Sequence, residues 1–372
     1  MSRSNRWFLF SALVVFFHMG TACAEEKPGG TVGGTLNVYN WADFIGETTV
    51  KDFEEEFGIE VNYDVYDNGQ IVDVKLMAGK SGYDVVFHAA SNSAQLIPIG
   101  IYKELDREKL PNWKNLDPAL MERIAAFDPG NRYGSPYMWG TTGFSYNKGM
   151  VLERMADAPI DSADLIFDPD VVSRFADCGV TLLDSASDVL GMAMVYLGYN
   201  ANSSVPAELK EAENLFRAIR PYIKYFSSSK MLLDLPAQEV CIAQSYSGDY
   251  SVANKRAREA GIDIELQFNI PSEGSLIWFD VIYIPADAPN PDAAHLFINY
   301  LMRPDVIAEI SNYTGYANAN SKATPLVDES LTSDVAIYPD QKVLDRLSVT
   351  NNLPPKIERR RSRTWTRIKS GL

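Results

Sequence analysis

Residues 137–146 read YMWGTTGFSY, from Tyr137 to Tyr146. The segment is aromatic and rich in Gly and Thr, a composition that favours extended backbone over helix. It lies between two regions that each alternate strands with helices, so it is expected to cross from one lobe to another. A second extended crossing is expected at Trp278–Ile284. Two lobes joined by several extended strands form a hinge with a cleft between them, where ligands commonly sit. The crossings divide the chain into discontinuous lobes, 35–139 with 281–317 and 140–280 with 318–372.

On the N-terminal side of the crossing, Leu36–Trp41 and Ile59–Tyr66 read as strands. Between them, Val50, Phe53 and Phe57 share one helical face over Glu47–Phe57, and Gly58 stops it. A short helix is expected over Val72–Ala78 and an apolar strand over Asp84–Ala89. Ser91 is expected to cap a helix running towards Gly100. On the C-terminal side, strands are expected at Gly179–Leu183, Val240–Ser245, Ile262–Phe268 and Leu276–Pro285. Helices are expected at Asp188–Leu197, Ala207–Ile219, Tyr250–Ala260, Ala293–Met302 and Pro304–Asn312, the last with Pro in its first turn. The tail from Gln341 reads as mainly helical. The alternation implies an α/β protein with a mostly parallel sheet.

The first 24 residues read as an export signal. Arg3 and Arg6 precede the apolar run Trp7–Phe17, and Ala22-Cys23-Ala24 offers a small-residue cleavage site. The run is too short for a membrane span, so the expected location is periplasmic. Cys23 could instead become a lipidated N-terminus. Gly20 rather than Leu stands three residues before it, which favours soluble export. Residues 25–34 (EEKPGGTVGG) read as a flexible leader. Cleavage leaves Cys178 and Cys241. An even pair in an oxidising compartment suggests one disulfide, the alternative being two buried free thiols.

The formal net charge is -15, and losing Arg3 and Arg6 makes it -17. Such a surface repels nucleic acid and anionic membranes and favours cationic partners. The basic run Arg359–Arg361, with Arg363 and Arg367, therefore reads as a solvated helix face or a dock onto the acidic body. The chain has no GxGxxG after a strand, no P-loop, no HExxH and no GxSxG. His88 and His295 are far apart and read as structural. Asp64, Tyr66, Asn68 and Gly69 mimic a calcium loop only faintly, since Tyr66 cannot supply a carboxylate and Lys75 stands at the twelfth position. No catalytic residue, metal or cofactor is expected.

Acid–aromatic pairs stand at expected strand ends: Trp41 with Asp43, Tyr246 with Asp249, and Trp278-Phe279 with Asp280. One such pair is commonly a surface Asp beside a core ring. Three at cleft edges suit a ligand made of ammonium groups on an apolar chain. Each ammonium loses water on burial and needs a carboxylate, and flat rings cover the methylenes and attract cations through their faces.

Tyr39-Asn40-Trp41-Ala42-Asp43-Phe44 resembles the YNWxDY-type opening of bacterial polyamine-binding proteins, the periplasmic components of ABC transporters for putrescine and spermidine. Lys75–Gly79, Gly143–Asn147 (GFSYN), Tyr316–Asn320 (YANAN) and Ala323–Leu326 (ATPL) match as well. The resemblance runs from about Thr35 to the C-terminus and is nearest to the putrescine-binding branch. It implies a type II periplasmic-binding-protein fold, two-lobed α/β, with Cys178 and Cys241 bridged. It also implies an aromatic box of Trp41, Trp278 (often Phe in relatives) and Tyr316, with Tyr246 where relatives carry Trp. Asp43, Asp249 and Asp280 would hold ammonium groups. Asp188 stands where relatives usually have Glu, Phe44 where Tyr is common, and Ala42 and Ala89 where Ser is common. Those departures leave putrescine, spermidine, cadaverine and agmatine all open. The implied partners are a polyamine and inner-membrane ABC permease subunits, with the protein a monomer. The competing readings are the ligand-binding part of an amine-sensing system and a carboxylate-based hydrolase.

Overall fold

The computed structural model describes residues 33–67, 69–351 and 353–371. The expected export signal lies outside them, as does the expected leader up to Val32. Eleven strands are found among the described residues: β1 Thr35–Trp41, β2 Glu60–Tyr66, β3 Val85–Ala89, β4 Gly134–Asn147, β5 Val180–Leu182, β6 Ile223–Phe226, β7 Ile242–Tyr246, β8 Leu266–Asn269, β9 Ser275–Tyr283, β10 Ala317–Asn318 and β11 Leu347–Val349. Eight of them form the order β2-β1-β3-β9-β4-β7-β5-β6, with β8 and β10 against β4 and β11 against β9.

β1 forms because Leu36, Val38 and Asn40 alternate into the interior. It pairs in parallel with β2, Thr35 opposite Glu60 through Trp41 opposite Tyr66. The helix Thr49–Phe57 buries Phe53 edge-on against Phe297, ring centroids 4.9 Å apart. Gly58, in the left-handed region at φ 69°, closes it with an amide bond to the Glu54 carbonyl.

β4 is the crossing strand. Its fourteen residues are buried along their whole length and span roughly 45 Å at the usual strand rise. Gly134–Thr142 pair with β9, while Thr142–Tyr146 pair with β7. β9 in turn pairs through Asp280–Tyr283 with β3. The two extended segments foreseen at 137–146 and 278–284 are therefore the two central strands, with β2-β1-β3 on one side and β7-β5-β6 on the other. On the latter side, a buried apolar cluster draws on Phe144 through Leu276 together with Trp365 and Ile368 of the last helix.

Several expectations are corrected. The sheet is mixed rather than mostly parallel: β3–β9, β9–β4, β4–β7, β4–β8 and β4–β10 all run antiparallel. The long crossing strands run against their neighbours, which no local pattern encodes. Ser91 does not cap its helix, which begins at Ala90 after extended Ala89 and has no side-chain cap. The tail holds the strand β11, beside β9, before its long helix Pro355–Ser370. That helix docks on the acidic body. Buried Arg361 donates to the carbonyls of Ala201 and Ser203, Arg367 pairs with Glu213, and Lys369 pairs with Asp184.

Cys178 and Cys241 are bridged, with Cα atoms 5.5 Å apart. The bond ties the segment before β5 to the start of β7, and the Cys241 amide also bonds to the Gly179 carbonyl at 3.0 Å.

Candidate functional site

The polar and aromatic residues singled out in the sequence gather where the central strands meet the ends of β1, β3 and β7. Trp41 is the last residue of β1 and its ring lies 4.4 Å from that of Tyr66. Its Nε1–H donates to Oδ1 of Asp280 at 3.0 Å. Asp280 lies within β9, paired with Ala89 on one side and Met138 on the other. Only 7% of it is exposed, and burial pushes its carboxyl up to about 7, against the lowering effect of the Trp41 bond. Burial above all raises Tyr66, Tyr246 and Tyr316, with the charge of Asp280 a smaller contribution to each.

Asp249 sits in the first turn of the helix Ser247–Glu259, directly after β7. Its Oδ1 accepts from the Tyr316 hydroxyl at 2.7 Å, while Oδ2 is buried with no hydrogen-bond partner. Burial pushes this carboxyl up to about 6, opposed by the Tyr316 bond. Trp278 stands between Tyr316 and Tyr246, edge-to-face with each at 5.4 and 5.7 Å. Phe44 packs edge-to-face on Tyr316 at 5.3 Å. Trp41, Trp278, Tyr246 and Tyr316 thus surround two carboxylates that have few protein partners.

Asp188 differs from these two. Thr142 Oγ1 donates to Oδ1 at 3.1 Å, and Ser185 Oγ and the Tyr246 hydroxyl donate to Oδ2, the latter at 3.2 Å. Burial still raises its carboxyl, opposed by the same three hydroxyls. Asp43 differs in another way: it is exposed, makes no hydrogen bond, and holds φ at 55° in the turn after Trp41. It is two residues from Trp41 in sequence but is not bonded into the network of the other carboxylates.

Three of the rings rest on glycines. A Cβ at Gly140 would lie 2.5 Å from the Trp278 indole, and one at Gly248 would lie 2.5 Å from the Tyr316 ring. A Cβ at Gly69 would lie 3.3 Å from Trp41. At Gly140 and Gly248 the backbone comes so near the rings that a side chain could not fit without a shift, while at Gly69 the contact would be only tight. Gly69 was noted only in a faint calcium-loop pattern, Gly140 and Thr142 only as part of the crossing segment, and Gly248 and Ser185 not at all. Ser185 did carry a signal: Ser185-x-x-Asp188 opens the helix Ala186–Tyr196, and its hydroxyl accepts from the Asp188 amide.

His88 and His295 are both buried and each meets neighbouring polar groups. His88 Nδ1 meets the Tyr102 hydroxyl at 2.7 Å, and His295 Nε2 accepts from the Asp106 amide at 2.9 Å. Among the described residues no three His, Cys, Asp or Glu side chains are placed to hold a metal ion. No helix among them is long and apolar enough to cross a membrane.

The sequence and the two-lobed fold match known proteins. Residues 48–339 match the family of bacterial extracellular solute-binding proteins. The chain belongs to that family. Among the relatives of this solute-binding protein is the putrescine-binding periplasmic protein SpuD of Pseudomonas aeruginosa strain UCBPP-PA14. It is 47% identical over 337 residues, covering 90% of this chain and 92% of SpuD. The putrescine-binding periplasmic protein PotF of Escherichia coli K12 is 41% identical, covering 99% of both chains. A solved structure from Listeria monocytogenes, described as a spermidine/putrescine ABC transporter, superposes with a TM-score of 0.81 at 31% identity. That match covers 90% of this chain and 98% of the other. Both of these relatives are named as putrescine-binding periplasmic proteins, and the two-lobed fold of this chain is shared with the solved structure.

Proposed function

We propose that this solute-binding protein captures a polyamine in the periplasm and delivers it to the permease of an ABC transporter, without catalysing a reaction. The observation that carries the reading is the pair of buried, under-bonded carboxylates, Asp249 and Asp280, enclosed by Trp41, Trp278, Tyr246 and Tyr316. A buried carboxylate with few donors is costly until a cation arrives, and rings beside it suit the methylene chain and the ammonium groups together. Asp188 supports the wall through Tyr246, Phe44 supports it through Tyr316, and Asp43 stands at its exposed rim. A thermal-shift and calorimetric screen of putrescine, spermidine, cadaverine and agmatine against amino acids and sugars tests the reading, because binding to the native state alone raises the melting temperature. A response confined to sugars or neutral amino acids overturns it.

In this proposal the protein acts as a monomer with lobes 35–139 with 281–317 and 140–280 with 318–372. One boundary of that division is moved: 318–328 is assigned to the first lobe instead of the second, because Asn318, Asn320 and Asp328 bond to Ser311, Met302 and Asn312. Closure about β4 and β9 then accompanies binding. Small-angle scattering is expected to give a smaller radius of gyration with a saturating diamine than without it. An unchanged radius would remove closure from the proposal.

The two raised carboxyls make binding pH-dependent. In the free protein Asp280 and Asp249 take up protons with pKa values of about 7 and about 6, against about 4 in an unfolded chain. An ammonium beside either carboxylate favours its charged form, so binding releases protons. Affinity is therefore expected to rise from pH 5 to pH 8 and then level off. The free protein behaves oppositely. Its native state binds more protons than the unfolded chain over this range, so these two groups make it less stable as pH rises from 4 through 7. Calorimetry in buffers of different ionisation enthalpy checks the release, and an affinity flat between pH 5.5 and 8 refutes it.

A further inference from the structure

The joint between the helix Pro206–Ile219 and the last helix, Pro355–Ser370, holds a cavity of about 250 Å³ that shares no residue with the acid–aromatic site. Arg217, Arg220, Arg367 and Glu213 line it, together with Phe216 and Ile368. Docking of the last helix accounts for the pairing of Arg367 with Glu213, but not for the charge gathered around them. Glu213 Oε1 meets Lys210 Nζ at 2.8 Å and Arg217 Nη2 at 3.3 Å, while its Oε2 meets Arg367 Nη2 at 2.7 Å. The Arg367 and Lys210 bonds hold this carboxyl below the usual range, so it is ionised. Arg220 donates to main-chain carbonyls, those of Ile223 at 3.0 Å and Lys369 at 3.5 Å. Among the described residues it pairs with no carboxylate, and its shielded Nε–H has no acceptor.

Four cations, Lys210, Arg217, Arg220 and Arg367, thus share this region with one carboxylate, which leaves three positive charges in excess. Over the whole chain the balance is the reverse, with a formal net charge of -15. Like charges held together repel, and an anion among them relieves the repulsion. A cationic ligand is turned away, so the cavity is no second seat for an amine. Guanidinium groups match oxyanions through paired N–H bonds. The volume has room for roughly eight waters, more than a bare phosphate ion fills and slightly under the usual size of a small-molecule pocket. Arg217 and Arg367 are about half-exposed, so each of these exposed charges contributes little by itself.

We propose that this cavity is an anion site. It takes a small organic oxyanion carrying two or more negative charges, a phosphomonoester or a polycarboxylate, across the joint between the two helices. The anion answers Arg220, offsets the excess charge around Glu213, and so fastens the last helix to the body. The site does not depend on the polyamine reading.

Calorimetry on the full mature protein tests the site with glycerol 3-phosphate, citrate and inorganic phosphate, at one ionic strength held with sodium chloride. At least one organic anion is expected to bind saturably and more tightly than inorganic phosphate. It is also expected to raise the melting temperature where chloride at the same ionic strength does not. Arg217→Gln is expected to weaken that binding roughly two- to fivefold, the size of an exposed charge pair. Arg220→Gln is expected to weaken it roughly tenfold or more, because bonds to a shielded charged group are stronger. Circular dichroism checks that both variants fold. Should Arg220→Gln loosen the last helix, Arg217→Gln still decides, because Arg217 bonds to Asn214 and Glu213 of its own helix. Three results overturn the proposal: no saturable binding of either organic anion, inorganic phosphate binding as tightly as both of them, or an affinity that neither substitution changes.

Discussion

Asp280→Asn is expected to weaken binding of the best amine by about 3–5 kcal/mol, the usual effect of removing one partner of a buried charge pair, which is roughly a hundred- to several-thousand-fold in affinity. The substitution keeps the size of the side chain and leaves an oxygen to accept from Trp41 Nε1, so the box should stay in place. What it removes is the charge, at a position in the middle of a central strand where water cannot substitute for it. The measurement belongs at pH 8, where the wild-type carboxyl is mostly ionised. Tyr246→Phe is the contrast. It removes one hydroxyl, the donor to Asp188, and leaves that carboxylate two others, so its expected cost is on the order of 1 kcal/mol. Calorimetry on both variants reads the ranking. An Asp280→Asn protein that binds as tightly as the wild type would show that the ammonium sits elsewhere.

Reduction of the Cys178–Cys241 bond is expected to destabilise the protein by about 4 kcal/mol. The estimate follows from the loop it closes, 63 positions from one cysteine to the other, in the chain-entropy model. For a chain of this size the corresponding fall in melting temperature is roughly 6 °C. The bridge holds the segment before β5 to the start of β7, behind the strand end that carries Tyr246. Loss of the bond should therefore lower stability more than affinity. Differential scanning calorimetry with and without reductant, together with a titration of the reduced protein, separates the two effects. A melting temperature unmoved by full reduction would contradict the estimate.

The fold was legible wherever an element carries its own signal. Leu36 and Val38 alternate inward in β1, Gly58 ends the first helix, and the composition of 137–146 marks the crossing. Strand direction was not legible, because parallel and antiparallel pairing use the same residues and differ only in how the chain returns. The short β11 escaped notice for a related reason: Leu347–Val349 is only half-buried and is a strand because β9 is beside it. The expected strand Ile262–Phe268 shrank to Leu266–Asn269, the part that finds β4 to pair with. In the site, the acid–aromatic pairs at strand ends pointed to the region where Trp41, Asp280, Asp249, Trp278, Tyr246 and Tyr316 make their contacts. They did not distinguish Asp280 and Asp249, which have one side-chain donor each, from Asp188, which is bonded three times, or from Asp43, which faces solvent. That difference arises from residues brought in from afar, such as Thr142 and Tyr316.

The glycines beneath the rings have a consequence for how such a site can change. Gly69, Gly140 and Gly248 bring the backbone against Trp41, Trp278 and Tyr316, so the walls already stand as far back as the chain allows. A side chain at Gly140 or Gly248 would collide with its ring and one at Gly69 would press lightly on Trp41 or Asn92, so substitutions there crowd the rings and none lets them retreat. The floor is a dial that turns one way, towards smaller ligands. A lineage or a mutant library moving towards bulkier ones has to shed a ring instead, and so gives up cation affinity in the same step. Surveys that randomise only the side chains facing the ligand would miss the three positions that set the width, because those residues have no side chain to face it with.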